Sequence, residues 1–425
     1  MQICIISDDY LPESIKSAGR MMHELAVGFQ ESGHEVFVLA PRVGTGPRWS
    51  EEVYEGVRVF RFRSGRIKNV AKPIRAINEM LLSWRAWRAG RRTLKAQSCD
   101  VIVYYSPTIF FGPLVRRLKR IWGSQSFLIL RDIFPQWVVD QGMVSARSPI
   151  IKLFRIFERI NYKAANVIGL QSPANQEYFR RYFPAAARTA VLYNWASVNS
   201  VSGKGKWRKA LGLEAKTVFF FGGNLGHAQD MGQILRLAEK MRDDAAHFLF
   251  VGAGDEVHLI EQYIDKASPR NATYLPAVPQ SDFLEIMAEC DVGLFSLHRG
   301  HTTHNFPGKV LAYLAQGLPV LGVVNRGNDL QDVILSADAG FVCECEDEDR
   351  LLKSAQSLLQ PSKRQAMGKN ARSLLESKFS VSAATSGILQ SLDSRKVGHQ
   401  AVTGRRNAND KAGGPESDSP GKGAL

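Results

Sequence analysis

The chain has 425 residues, a formal net charge of +14, an apolar share of 44% and five cysteines. The apolar share excludes a wholly disordered polymer, and the length exceeds what one hydrophobic core ordinarily serves, so two domains are expected. The positive balance asks for an acidic partner: nucleic acid, an anionic membrane surface or phosphorylated substrates.

Cys4, Cys99, Cys290, Cys343 and Cys345 are few, odd in number and without zinc spacing, which fits free thiols in a reducing cytosol. Cys343 and Cys345 read as alternating strand positions. The opening MQICIISDDY reads as a strand with neither a basic leader region nor a cleavage site, so no signal peptide is expected. The longest uncharged run, Val310 to Asn325, is too short to span a bilayer and is broken by Gly317 and Pro319, so a soluble or peripheral protein is expected.

In chain order, Met1 to Ile6 is a buried strand. A loop holding Ser17, Ala18, Gly19 and Arg20 follows, then a helix from about Met21 to Glu31, then the strand His34 to Ala40. Strand, glycine loop, helix and strand in this order open a parallel sheet. Strands continue at Val57 to Phe62, Val101 to Tyr105, Phe127 to Leu130 and Val167 to Gln171, with Val191 to Asn194 as the last of the first half. The same grammar restarts with Thr217 to Phe221, a glycine loop Gly222 to Asp230 and a helix Met231 to Met241. It runs on through Phe248 to Val251, Ala272 to Leu275, Val292 to Leu297, Val320 to Val324 and Gly340 to Cys343. The reading is α/β: two doubly wound Rossmann-like domains facing a cleft, 1–198 and 199–379. From Lys396 on the composition turns polar and glycine-rich, and 396–425 is read as a disordered tail.

Several stretches carry candidate chemistry. Gly222-Gly223-Asn224-Leu225-Gly226 lets a ligand approach the backbone before a helix whose dipole favours a diphosphate, yet it lacks GxGxxG spacing and is equally an ordinary tight turn. Gly252 and Gly254 form a second strand-to-loop pair, able to approach a nucleoside or simply to turn. Asn325, Asn328 and Asp329 follow a strand where such sheets place ligand contacts, though these types also favour plain turns. Asp132, in Arg131-Asp132-Ile133-Phe134-Pro135, sits beyond a buried strand as a general base or as a capping carboxylate. The stretch Leu297 to Val320 is the centre of the chain. His304 and Asn305 close a polar loop, Pro307 and Gly308 open a helix, and Lys309 adds a charge in its first turn, an arrangement suited to a phosphate or to a plain surface helix. His298, His301 and His304 crowd that loop without a local carboxylate or cysteine, so no metal is expected.

Between Arg58 and Arg120 sixteen Lys or Arg face two acidic residues. Within this segment Ile74 to Leu94 reads as one basic helix. Ile74, Ile77, Leu81, Trp84 and Trp87 alternate there with Arg75, Arg85, Arg88, Arg91 and Arg92, a pattern that lies on an anionic bilayer or packs on its own domain. PLVRRLKRIW, from Pro113 to Trp122, repeats it. No recognised nucleic-acid module accompanies the charge.

Taken together, SAGR (17–20), RDIFPQ (131–136), FFGGNLGHAQDM (220–231), FVGAGDE (250–256), YLPAVPQSDF (274–283), CDVGLFSL (290–297) and HNFPGKVLAYLAQGLPVLG (304–322) resemble the retaining group 1 glycosyltransferases of family four. The likeness covers about residues 1–395 and is greatest to the WbuB-like branch, L-fucosamine transferases of O-antigen or capsule assembly. It implies the GT-B fold, with a C-terminal helix at about 380–395 rejoining the first domain. It also implies metal-independent, cofactor-free transfer with retention of a sugar, an N-acetylated 6-deoxyhexosamine such as L-FucNAc. The donor is a nucleotide diphosphate sugar, UDP-linked, and the acceptor an undecaprenyl-diphosphate-linked sugar on the cytoplasmic inner-membrane face.

By the same resemblance the diphosphate lies against Gly19, Arg20, Gly222 to Gly226 and the helix from Pro307, with Lys309 neutralising it. Gly252, Gly254, Leu275 and Val278 hold ribose and base, His304, Asn305, Asn325, Asn328 and Asp329 join the donor site, and Asp132 lines the acceptor side. The family's paired glutamates fall on His304 and Ala312, and its phosphate-loop Arg and Lys are replaced by Asn224 and neighbours such as His227. The competing functions are a nucleotide-sugar 2-epimerase of the same fold, which would want more cleft carboxylates, and a non-catalytic scaffold of a polysaccharide assembly complex.

Overall fold

The structure is a computed structural model that describes residues 1–14, 17–67, 70–140, 144–184, 188–266, 271–300 and 306–393. Its strands are β1 (Gln2–Ile6), β2 (Glu35–Val43), β3 (Trp49–Tyr54), β4 (Val57–Ser64), β5 (Val101–Ser106), β6 (Gln125–Leu130), β7 (Val167–Leu170) and β8 (Arg188–Val191) in the first half. The second half holds β9 (Thr217–Asn224), β10 (Ala246–Ala253), β11 (Ala272–Pro276), β12 (Val292–Ser296), β13 (Val320–Val324) and β14 (Gly340–Glu344). The first eight form one sheet in the order β3-β4-β2-β1-β5-β6-β7-β8 and the other six a second in the order β11-β10-β9-β12-β13-β14.

All neighbours pair in parallel except β3 with β4. Helices cover both faces of each sheet, which is why strands such as Val101–Ser106 are buried at every residue and read as unbroken apolar runs. The expected class, two Rossmann-like α/β domains, is the one observed.

Three local differences have physical causes. Trp49–Tyr54, not anticipated, is an edge strand in which Glu51 and Val53 are exposed and the other four residues are only partly covered. Its hairpin turns at Glu55 and Gly56, both at positive φ (44° and 79°), as a tight hairpin requires. The last strand of the first sheet is Arg188–Val191 rather than 191–194, because the Arg131 guanidinium takes the carbonyls of Leu192 (2.8 Å) and Tyr193 (3.4 Å) away from any ladder. The basic segment is two helices, Lys72–Met80 and Leu82–Ala96, parted at Leu81. The second docks Leu82, Ala86 and Leu94 in the core, whereas the first buries no residue.

The chain passes between the halves twice. Beyond Val191 it runs through Trp195, whose indole donates to the Met21 carbonyl at 3.3 Å, and Ala196, whose N–H donates to the Phe379 carbonyl at 2.9 Å. The helix Val381–Leu392 then returns to the first half. Its Ala384, Ile388 and Leu392 join Ile3, Met22, Phe29 and Val38 in one core. Gly28, on the helix Ser17–Glu31, is where the two helices touch: a Cβ there would lie 2.4 Å from Val381 Cγ1.

Candidate active site

Parallel strands bring all following loops to one edge of each sheet, and the strand order reverses between β1 and β5 and between β9 and β12. Ligands of such sheets bind at these reversals. The two carboxyl edges meet, since Asp329, after β13, accepts from the Ala174 N–H, after β7, at 2.8 Å.

On the second half the reversal is occupied by the glycine loop and the helix Gly308–Gln316. Gly222 is buried and its N–H donates to Tyr313 Oη at 3.1 Å, a fully buried hydroxyl one turn along from Lys309. Gly223 stands at φ 95°, with open space where its Cβ would be. Lys309 Nζ lies 3.7 Å from the Phe221 ring centroid and 3.4 Å from the Asn224 carbonyl. No carboxylate among the described residues pairs with it. Loss of hydration at this half-buried position lowers its pKa to about 7. Ser296, ending β12, holds a buried hydroxyl without a hydrogen-bond partner among the described residues. The site thus presents a lysine short of an anion beside exposed backbone at a helix N-terminus.

The glycines after β10 allow a close approach of two backbones. A Cβ on Gly252 would meet the Gly223 carbonyl oxygen at 1.9 Å and one on Gly254 the Leu225 oxygen at 2.2 Å, so both let the β10 loop close on the β9 loop. Asp255 accepts from the His227 N–H at 3.1 Å, and Glu256 accepts from the Met231 N–H at 2.8 Å. The helix Met231–Lys240 therefore holds a carboxylate of the protein at its N-terminal end. Asn224 is held by Gln229, Nδ2 to Oε1 at 2.5 Å.

Asn325 and Asn328 are buried, bonded to each other at 3.0 Å, and Asn328 caps the helix Asp329–Ser336. With Asp329 on Ala174, this trio braces loops and the contact between halves. Leu275 and Val278 pack at the rim of the core beneath β11, beside Gly252. His304, Asn305 and His301 lie outside the described residues. Among the described residues no cluster of His, Cys, Asp or Glu could hold a metal.

On the first half, Gly19 lies in the opening turn of the helix Ser17–Glu31, where a Cβ would sit 3.3 Å from Ser14, and Arg20 is exposed. Asp132 leaves the end of β6 with its side chain open to the crevice. The crowded wall still raises its pKa by desolvation, with Arg131 opposing. Arg131, beside that aspartate, bonds the Leu192 and Tyr193 carbonyls. Burial lowers its pKa to about 10 while Tyr105 and Asp132 pull upward.

Of the residues expected on a membrane face, Trp84, Arg88, Arg91 and Arg92 are exposed. Arg75 pairs with Glu79 at 2.6 Å, Arg85 turns to Asn78 at 3.1 Å, and Trp87 is half-buried under Arg117. Among the described residues no helix is long and apolar enough to cross a membrane.

Residues 18–195 match the family described as Glycosyl transferase 4-like domain, and residues 203–374 match Glycosyl transferases group 1. The chain is built of two glycosyltransferase domains. The chain is 22% identical to WbjE of Pseudomonas aeruginosa, named as a glycosyltransferase, over 60% of this chain and 65% of that protein, so the matched length is just under two thirds of the relative. It is 21% identical to WcaI of Escherichia coli K12, named for colanic acid biosynthesis, over 81% of this chain and 86% of that protein.

Among solved structures, sucrose-phosphate synthase from Thermosynechococcus elongatus superposes with a TM-score of 0.64 at 16% identity, covering 92% of this chain and 97% of that one. HepE of Anabaena, in complex with UDP, gives 0.63 at 15% identity over 92% and 99%. WaaG, described as a glycosyltransferase involved in lipopolysaccharide biosynthesis, gives 0.57 at 16% identity over 92% and 98%. At these identities the likeness establishes the fold, the GT-B architecture that the sequence resemblance implied.

Proposed function

We propose that this glycosyltransferase moves a sugar with retention from a UDP-linked donor to a lipid-diphosphate-linked acceptor at an anionic membrane face, in surface polysaccharide assembly. The donor sugar we assign to the N-acetylated 6-deoxyhexosamine class, as in the WbuB-like branch. The observation that carries the donor side is Lys309: a half-buried ammonium with no carboxylate partner among the described residues, beside the Gly222–Gly226 loop and at the N-terminus of Gly308–Gln316. A diphosphate there supplies the missing anion and meets the unpaired N–H groups of the helix's first turn.

In the reaction the bond from the sugar's anomeric carbon to the diphosphate breaks while the acceptor oxygen attacks from the same face. Lys309 and the helix end stabilise the charge that develops on the departing diphosphate, and that group takes the acceptor's proton. Asp132, across the crevice, orients the acceptor hydroxyl. HepE, whose structure is a complex with UDP, supports the nucleotide, and the names of WaaG and WcaI support the polysaccharide context.

Thermal shifts with UDP, GDP and dTDP, and CMP as control, test the donor side. UDP is expected to raise the melting temperature of the native protein and to do so far less for Lys309→Met. No shift with any nucleotide would overturn the reading.

A further inference from the structure

The helices 72–80, 82–96, 112–122 and 149–164 share one side of the first half, with Leu82, Ala86, Leu94, Leu114, Leu118, Tyr162 and Ala164 all in a single core under them. Together they carry fifteen Lys or Arg and two Glu. Of those two, Glu79 is paired with Arg75, and Glu158 is fully buried against Arg155. The charge on the outer surface of this layer is therefore overwhelmingly positive.

One strip of it is apolar. On the helix Pro149–Ala164, Ile150, Leu153 and Ile156 are 39%, 38% and 54% exposed, at a spacing of three that keeps them on one side. Lys152, Arg159 and Lys163 are exposed on the adjoining strip. The opposite side of the same helix reaches the acceptor motif: Phe154 packs on Phe134 at 5.2 Å, two residues from Asp132, and Arg155 bonds Gln136.

We propose that Ile150, Leu153 and Ile156 enter the headgroup region of an anionic bilayer, so that the edge carrying Asp132 is held where a lipid-linked acceptor presents its sugar. Apolar residues flanked by cations and free of exposed acids are the surface such an interface takes up. A second copy of the chain would bring the same positive layer against itself, and the repulsion opposes it. A nucleic acid would engage the cations but leave the isoleucines in water. This assignment rests on the lipid-linked acceptor proposed above.

The test uses the full chain with Leu153→Cys carrying an environment-sensitive NBD label. The parent chain taken through the same labelling is the control for the native thiols, of which Cys4, Cys99, Cys290 and Cys343 are buried and Cys345 is half-buried. Mixed phosphatidylcholine and phosphatidylglycerol vesicles should shift the label to the blue and expose it to quenching by a headgroup-proximal doxyl lipid, with no such change on adding duplex DNA. Ile150→Ser with Leu153→Ser and Ile156→Ser should cut co-sedimentation with those vesicles by about tenfold while leaving the UDP thermal shift intact. If the protein sediments with vesicles but the label does not respond, the strip is elsewhere and this inference alone falls. If the protein does not sediment, the membrane reading falls with it. A label shift that appears with protein concentration in the absence of lipid, or with DNA, would overturn the assignment in favour of those partners.

Discussion

Folding moves Lys309 from the ordinary lysine pKa of 10.5 to about 7, because its ammonium is drawn from water to the face of Phe221 without gaining a carboxylate. Between those two values the unfolded chain binds a proton that the native one lacks. This group's contribution to stability therefore rises with pH across the window. A diphosphate reverses the balance by favouring the charged form. UDP binding above pH 7 should accordingly take up a proton, and affinity should fall as pH rises beyond that point. Calorimetry in buffers of different ionisation enthalpy measures the uptake, and Lys309→Met should abolish that share of it. The same substitution should weaken UDP by about 1.5–3 kcal/mol, the size of a lost charged hydrogen bond. Tyr313 acts one step back: Tyr313→Phe leaves the buried Gly222 N–H without its 3.1 Å acceptor. Denaturant unfolding should show a loss of about 1–3 kcal/mol for that orphaned donor.

Among elements, the two helices that clasp across the first half give opposed outcomes for one kind of substitution. Gly28→Ala places a methyl 2.4 Å from the stiff Val381 side chain, whereas Gly387→Ala, inside Val381–Leu392, meets nothing within 4 Å. The first should cost about 1–3 kcal/mol by overpacking and be relieved by Val381→Ala. The second should gain about 0.5–1 kcal/mol by reducing the freedom of the unfolded chain. Melting curves of the three variants decide both.

The legibility of the sequence divides along the same line. Strands buried on both faces, such as β5 and β9, announce themselves as apolar runs, and the Pro307-to-Gly317 helix is bounded by its own punctuation. The edge strand β3 does not, because none of its residues is fully buried and its signal is a turn at Glu55 and Gly56. For the site, Lys309 and the Gly222–Gly226 loop could be found from local pattern. The partners of that loop could not: Tyr313, Asp255 and Glu256 reach it through space from other elements. A glycine required by a neighbouring backbone and one required by a nucleotide look alike in sequence, and the approach of Gly252 to Gly223 and of Gly254 to Leu225 shows only in three dimensions.

At the scale of the whole molecule, the halves touch through one charge-assisted contact that can be removed cleanly, Asp329 on the Ala174 N–H. Asp329→Ala should leave the helix Pro173–Tyr182 without that acceptor and loosen the contact. Amide exchange at Ala174 should speed up by tenfold or more, for a bond worth about 1.5–3 kcal/mol, while the cores of both sheets keep their protection.

The return of the last helix to the first half also sets an order of events at the ribosome. The first sheet emerges early, yet the apolar strip of Met22, Leu25, Ala26 and Phe29 waits for Ala384, Ile388 and Leu392, which are made after the entire second half. The N-terminal domain of this protein is thus the first to begin folding and the last to finish. A nascent chain stalled at Ser380 should bind a hydrophobic dye or a chaperone at that strip, and release of the final helix should close it.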